Sequence, residues 1–341
     1  MRAVAVAEDR SLVTVERPRG EPGAGQALVE VAFCGICGSD LHFRDIPALF
    51  PAGTIPGHEM SGRVVALGGG VPAWRLGERV TVLPFGQCGE CELCASGREQ
   101  VCPHAISNGV GLGTGRPGGY AEHVVVDERM LFTLPDSVED RAGALTEPLA
   151  VAVRAVERSG LARDAPAMIL GAGTIGVLTA LVLADRGHEQ VVLVSRNAAR
   201  RELALALGLQ AVTLEEAAAA ARIAPACVFE CAGTPAAARL AVELVGAAGR
   251  IMLVGIALEP LDLQAPPIVM KELELRGVIS YTRANFAAAI EMLARGAVPV
   301  EKLVTGTAPL EDAEASFQAL SAPGNGHLKI LLAPGALAAP A

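Results

Sequence analysis

Four cysteines, Cys88, Cys91, Cys94 and Cys102, stand within fifteen residues in the spacing C-x2-C-x2-C-x7-C. Soft thiolates close a tetrahedron around Zn²⁺ at ~2.3 Å, and four of them leave no open coordination position. The spacing therefore predicts a structural metal, with Gly86, Gly89 and Gly97 letting the loop turn its sulfurs inward. An iron–sulfur cluster takes the same ligands, but nothing beside the lobe points to an electron-transfer partner. Upstream, the stretch Gly35-Ile36-Cys37-Gly38-Ser39-Asp40-Leu41-His42 is followed by Pro56-Gly57-His58-Glu59-Met60-Ser61-Gly62. Cys37, His58 and Glu59 offer a thiolate, an imidazole and a carboxylate. Three such ligands and an exchangeable water make a catalytic zinc site. Taken singly, each has a plainer reading, a core cysteine or a surface His-Glu pair; beside the four-cysteine lobe, the metal reading is the better one. Cys34 is read as a small buried hydrophobe.

A third group handles phosphate. Met168-Ile169-Leu170 leads into Gly171-Ala172-Gly173-Thr174-Ile175-Gly176 and then an apolar helical run, Val177–Asp185. Strand, glycine turn and helix in that order bring backbone N–H groups against a pyrophosphate at a helix N-terminus. The next apolar strand, Val191–Val194, ends on Ser195, where NAD-binding chains usually carry Asp or Glu for the ribose 2′-hydroxyl. Arg196, Arg200 and Arg201 follow. A carboxylate would repel a 2′-phosphate, whereas Ser and Arg bind it. The expectation is NADP(H) in preference to NAD(H).

These residues need a scaffold. The 341-residue length suggests two domains, and 51% hydrophobic with 19% charged residues can bury a sizeable core. Aromatics are 3%, so the core must be Val, Leu, Ile and Ala. A net charge of −9 argues against nucleic acid as a partner. No secretory leader is visible after Met1, since Glu8, Asp9 and Arg10 interrupt a short apolar start, and no apolar run reaches the ~20 residues of a membrane span. A cytoplasmic chain without membrane contact is expected, with its thiols reduced.

Short β-like runs separated by Gly and Pro (Ala27–Phe33, Gly62–Leu67, Arg79–Leu83, Ala121–Val126) predict a barrel-like β domain. After about Thr146, Ala- and Leu-rich helical stretches alternate with apolar strands (Met168–Leu170, Val191–Val194, Cys227–Phe229, Arg250–Val254), which predicts βαβ units and a parallel sheet. A helix is expected over Asn285–Arg295, a surface helix over Glu215–Ala224, a strand over Leu328–Leu332 that returns to the first domain, and a frayed end over Pro334–Ala341.

Cys37-Gly-Ser-Asp-Leu-His42, Gly57-His-Glu-x2-Gly62-x5-Gly68 and the four-cysteine lobe together resemble the zinc-containing medium-chain dehydrogenase/reductase family, nearest its sorbitol, butanediol and threonine dehydrogenase branch. The similarity runs from Val4 to Leu332. It implies an α/β chain with a GroES-like β-barrel catalytic domain (residues 1–147 and 281–341) and a Rossmann domain with a doubly wound parallel sheet (148–280). It also implies two zinc ions per chain. Cys37 and His58 become catalytic zinc ligands, with Glu59 and Glu147 sharing the remaining role in an order left open. Asp40 becomes an acid that orients His58 or the zinc loop. Ser39 is implied as first proton acceptor and His42 as outer base, linked through the coenzyme ribose. Backbone groups of Val254 and Ser280 are implied at the nicotinamide carboxamide, and Phe43–Phe50 with Pro84-Phe85 beside the substrate. Cys227 and Cys231 are expected to be buried and inert.

The expected activity is zinc-dependent oxidation of a secondary alcohol or polyol to its ketone, and the reverse, with a small-molecule alcohol or ketone as partner. L-threonine oxidation and a biosynthetic cyclic alcohol remain alternatives, as does a non-enzymatic NADPH-binding module. Zinc-free quinone or enoyl reductases lack Cys37, His58 and the cysteine lobe. The resemblance implies a homodimer or homotetramer, with the strand near Ile251–Val254 or the zinc lobe as contact.

Overall fold

The computed structural model describes residues 1–71 and 73–335, so the expected frayed end lies outside the described residues from position 336 onward. The first sheet is built around one long strand, Gln26–Gly35. Glu59–Leu67, His123–Asp127 and Lys329–Ala333 all pair with it antiparallel. Arg79–Val82 and Leu131–Thr133 extend the sheet on one side, and Val304–Pro309 runs parallel to Lys329–Ala333 on the other. A separate hairpin joins Arg2–Val6 to Leu12–Glu16. Alternation puts Val29, Val31, Val64, Val80, Val82, Val124 and Val126 into one core, as period-2 patterning requires. The C-terminal strand does return to the first sheet.

The second sheet is wholly parallel. In space its order is Gln210–Val212, Val191–Val194, Ala167–Leu170, Cys227–Glu230, Arg250–Leu253, Glu274–Gly277. Numbered along the chain this is 3-2-1-4-5-6, the doubly wound order of a dinucleotide-binding sheet. The sequence pattern reveals only the four central strands. Gln210–Val212 and Glu274–Gly277 are the sheet's edges, are half-exposed, and carry Gln210, Glu274 and Arg276 where a buried strand would be apolar. Edge strands lack the continuous hydrophobic run that marks central parallel strands.

Helix Thr146–Ser159 ties the two sheets together. It packs on Thr174–Asp185, the helix that follows the glycine turn, and on Arg283–Ala294. One core runs through Leu83, Leu145, Leu149, Ile169, Phe229 and Phe286, drawing on elements of both sheets. Leu214–Ala220 forms the expected surface helix, closed by a capping box between Thr213 and Glu216. Among the described residues, no helix is long and apolar enough to cross a membrane.

Candidate active site

The long strand ends at Gly35, and the chain turns at once into the short helix Gly38–Phe43 with Cys37 as its N-cap residue. Asp40, at the helix's third position, accepts from the Cys37 backbone N–H at 3.1 Å. Its Oδ2 also accepts from the buried Tyr120 hydroxyl at 2.7 Å, and its Oδ1 lies 3.5 Å from His58 Nδ1. One acid thus anchors the loop carrying Cys37 and sets its charge beside the ring of His58, without a hydrogen bond to it. A carboxylate behind a histidine's second nitrogen is the usual support of a metal-bound imidazole. Burial opposes the imidazolium, but Asp40 and Cys37 outweigh it and raise the His58 pKa well above its ordinary value. The pocket favours positive charge.

Donor atoms of Cys37, His58 and Glu59 lie within 4.8 Å of one another. Thiolate, imidazole and carboxylate around one point suit Zn²⁺. His58 follows Gly57, whose φ of +101° no ordinary side chain holds without strain, and the ring of Tyr120 fills the place of a Cβ there. Glu59 opens the strand paired to Gly35. A Cβ at position 35 would overlap Glu59 Oε2, so glycine is what lets that carboxylate lie against the backbone.

Sequence reasoning missed Lys329. This lysine is 1% exposed, and its Nζ donates to Glu59 Oε1 at 2.7 Å, Glu59 Oε2 at 2.6 Å and the Ile36 carbonyl at 2.8 Å. The available signal was one cation in the apolar strand Lys329–Ala333, because buried lysine requires a paired charge. Burial works against its ammonium, and Glu59, Cys37 and Glu147 more than compensate, so its pKa is raised.

Glu147 enters from the first turn of helix Thr146–Ser159 and is 5% exposed. It stands outside the 4.8 Å group. Burial, with a contribution from Glu59, pushes its carboxyl up to about 7 against the opposing effects of His58, Tyr281 and Lys329. The fully buried Tyr281 hydroxyl lies close to Glu147: burial first, then the Glu147 charge, raises its pKa well above normal. Phe85 meets the Tyr281 ring edge-on at 5.7 Å. Of the residues expected beside the substrate, Phe50 is instead a core residue, 2% exposed, because the loop folds its ring into the β core. Ser39 is partly exposed and His42 exposed, three apart on the helix Gly38–Phe43 and so on one face. Cys34 is fully buried, as expected.

In the cysteine lobe, Cys88 and Cys94 sulfurs are 3.9 Å apart, Cys91 and Cys102 3.9 Å, and Cys88 and Cys102 3.6 Å. A tetrahedron with ~2.3 Å metal–sulfur bonds has edges of about 3.8 Å. The four thiols therefore fit zinc without rearrangement. Backbone N–H groups of Glu90 and Cys91 hold Cys88 down to about 6, while burial and the neighbouring sulfurs push Cys94 up to about 12.

In the glycine turn, Gly171 has φ +105°, and a Cβ at Gly176 would overlap the Gly171 carbonyl oxygen. Gly173 caps the helix Thr174–Asp185, of which Thr174 and Ile175 are the first residues. Ser195 is buried, and its Oγ accepts from the Asn197 N–H at 3.2 Å. Arg201 is committed to the Ser195 carbonyl at 2.7 Å. Arg196 is exposed. Arg200 points toward Gly173, contacts Asn325 at 3.3 Å and keeps a buried, unpartnered Nε. The N–H of Val254 is used by the Glu230 carbonyl at 2.9 Å, so only its carbonyl is free for a carboxamide. Ser280 is buried in the left-handed region, φ +50°, with an unpartnered Oγ. Such strain in a non-glycine residue marks a constrained position. Cys227 is fully buried and pushed up to about 12 by burial, while Cys231 is partly exposed rather than buried, sitting just past the end of its strand.

Residues 23–136 match the profile of the alcohol dehydrogenase GroES-like domain, and residues 174–295 that of zinc-binding dehydrogenases. The chain is 36% identical to the 2-dehydro-3-deoxy-L-galactonate 5-dehydrogenase of Pseudoalteromonas atlantica, covering 91% of this chain and 92% of that one. It is 33% identical to the (R,R)-butanediol dehydrogenase of Bacillus subtilis, covering 96% and 97%. Its fold superposes with a TM-score of 0.88 on a Sinorhizobium meliloti protein described as a zinc-binding dehydrogenase bound to NADP, at 29% identity over 98% of this chain and 99% of that one. An Escherichia coli alcohol dehydrogenase complexed with NADH gives 0.89, at 29% identity and the same coverage.

Proposed function

We propose that this chain, which belongs to the zinc-containing medium-chain dehydrogenase/reductase family, interconverts a secondary alcohol or polyol and its ketone with NADP(H) as the preferred hydride carrier. Membership makes it an NAD(P)-linked, zinc-dependent alcohol dehydrogenase. The observation that carries the finer reading is the convergence of Cys37, His58 and Glu59 with a second buried acid, Glu147, beside them.

Cys37, His58 and Glu59 would hold the catalytic zinc, and Cys88, Cys91, Cys94 and Cys102 a structural one. Bound there, zinc would supply a Lewis acid for the substrate oxygen, and a nicotinamide coenzyme would supply the hydride acceptor or donor for the carbon that bears it. Lys329 neutralises Glu59. Glu147, outside the Lys329–Glu59 ion pair and held by burial above the usual carboxylate range, serves as the exchangeable acid of the site. An acidic third position suits a polyol, whose neighbouring hydroxyl needs an acceptor. Ser39 takes the hydroxyl proton, and His42 on the same helix face hands it to water. Ser195, Arg196 and Arg200 receive the 2′-phosphate, since Arg201 is already spent on backbone. Gly171, Gly173, Thr174, Ile175 and Gly176 cradle the pyrophosphate, and Val254 and Ser280 meet the carboxamide. Residues 1–147 with 281–341 form the catalytic domain, residues 148–280 the coenzyme domain, and the chain works as a cytoplasmic homodimer or homotetramer.

The test is nicotinamide absorbance with NADP⁺ and NAD⁺ across sorbitol, 2,3-butanediol, L-threonine, a cyclic secondary alcohol and ethanol. Secondary alcohols or polyols with higher kcat/KM on NADP⁺ are expected. Preference for ethanol, or for NAD⁺, refutes the corresponding half.

A further inference from the structure

A cavity of about 410 Å³ opens far from the zinc ligands, lined by Val156, Glu157, Leu161, Arg163, Arg186 and His188. It gathers two loops: the one that follows helix Thr146–Ser159, and the one between Asp185 and the strand Val191–Val194. Both lead into the N-terminal ends of parallel strands. The glycine turn follows the opposite, C-terminal ends, so the cavity lies about a strand's length, roughly 13 Å, from the coenzyme edge.

The charges in this cavity are unbalanced. Among the described residues, neither the Arg163 nor the Arg186 guanidinium takes part in a hydrogen bond or ion pair. The one acid lining the cavity, Glu157, has both oxygens engaged, Oε1 by Arg154 at 3.1 Å and Oε2 by Asn285. Asp185, next to Arg186, is held by both terminal nitrogens of Arg295 at 2.6 Å. His188 is 9% exposed, and burial, followed by the charges of Arg163 and Arg186 close to its ring, lowers its pKa. The helix-end carbonyls that would repel an anion are covered: Arg158 and Ser159 carbonyls accept from Arg276 and Arg250. Val156 and Leu161 add an apolar floor.

We propose that this cavity is a second ligand site, separate from the coenzyme and substrate sites, for a small organic anion carrying at least two negative charges and a short carbon skeleton. Arg163 and Arg186 bind the charges beside the His188 ring. The volume exceeds that of a bare phosphate and falls in the range of small-molecule pockets.

Isothermal titration calorimetry of the zinc-loaded, full-length protein with citrate, and separately with pyrophosphate, at constant ionic strength tests the proposal. Saturable citrate binding at one site per chain is expected. R163Q/R186Q should weaken it by about tenfold or more, because two charge-assisted contacts are lost. His188→Phe should weaken it while leaving the melting temperature of the unliganded protein within a few degrees. R196Q/R200Q, altered at the coenzyme edge, should bind citrate as the wild type does. Absence of saturable binding overturns the proposal, as does binding that survives R163Q/R186Q but vanishes in R196Q/R200Q. Neither outcome bears on the alcohol–ketone activity, which is read separately.

Discussion

Replacing Lys329 with methionine isolates the cost of the charge beneath the zinc centre. Its ammonium is 1% exposed and makes three hydrogen bonds, two to Glu59 and one to the Ile36 carbonyl. Lys329→Met keeps most of the side-chain volume and leaves the Glu59 carboxylate, itself 1% exposed, without its cation. Breaking a buried pair by removing one partner costs about 3–5 kcal/mol. At roughly 2–4 °C per kcal/mol for a cooperative unit of this size, the zinc-free protein should melt about 6–20 °C lower. Zinc held by Cys37, His58 and Glu59, as proposed, would supply a replacement cation, so the zinc-loaded variant should lose distinctly less. Calorimetric melting of both forms reads the difference. Lys329→Arg should recover part of the loss, and adding Glu59→Gln to Lys329→Met should recover more, because the two residues are coupled. A zinc-free Lys329→Met protein that melts within 2 °C of wild type would refute the reasoning, as would equal losses with and without zinc.

Gly35→Ala places a methyl group on Glu59 Oε2, and should cost about 1–3 kcal/mol in thermal stability and depress kcat by displacing that carboxylate. Ser195→Asp should lower the NADP⁺ to NAD⁺ ratio of kcat/KM by about tenfold or more, since a carboxylate would face the 2′-phosphate; an unchanged ratio counts against the assignment. His42→Ala should reduce kcat by about 10²-fold and alter the pH–rate profile with zinc content unchanged, and an unaltered profile removes His42 from the relay. Hydrogen bonds from Arg295 hold the Asp185 pKa below its ordinary value. That pair's stabilisation is therefore present above the ordinary carboxylate range and lost as pH falls through the lowered value. Arg295→Gln should flatten this acid limb by less than about 1 kcal/mol, because Arg295 is half-exposed.

Local chemistry was legible in the sequence wherever one short segment supplies it. The cysteine lobe, the glycine turn and the serine ending the second parallel strand each sit within a loop or one βα unit, so spacing alone carries the geometry. The central strands were legible for a related reason: burial on both faces leaves a continuous apolar run. The half-exposed edge strands Gln210–Val212 and Glu274–Gly277 carry no such run, and their pairing partners alone define them.

Other features exist only after folding. Lys329 and Glu59 are 270 positions apart and meet because the C-terminal strand lies antiparallel to Gln26–Gly35. Tyr120 reaches Asp40 across 80 positions, and Gly35 matters only because strand pairing sets Glu59 opposite it. The hydrogen bond from Arg201 to the Ser195 carbonyl was likewise hidden. Sequence by itself determined which candidate ligand atoms the chain carries and how they are spaced. Tertiary structure decided how each charge is balanced, because the energy of a buried charge depends on what is packed within a few ångströms and not on its neighbours along the chain.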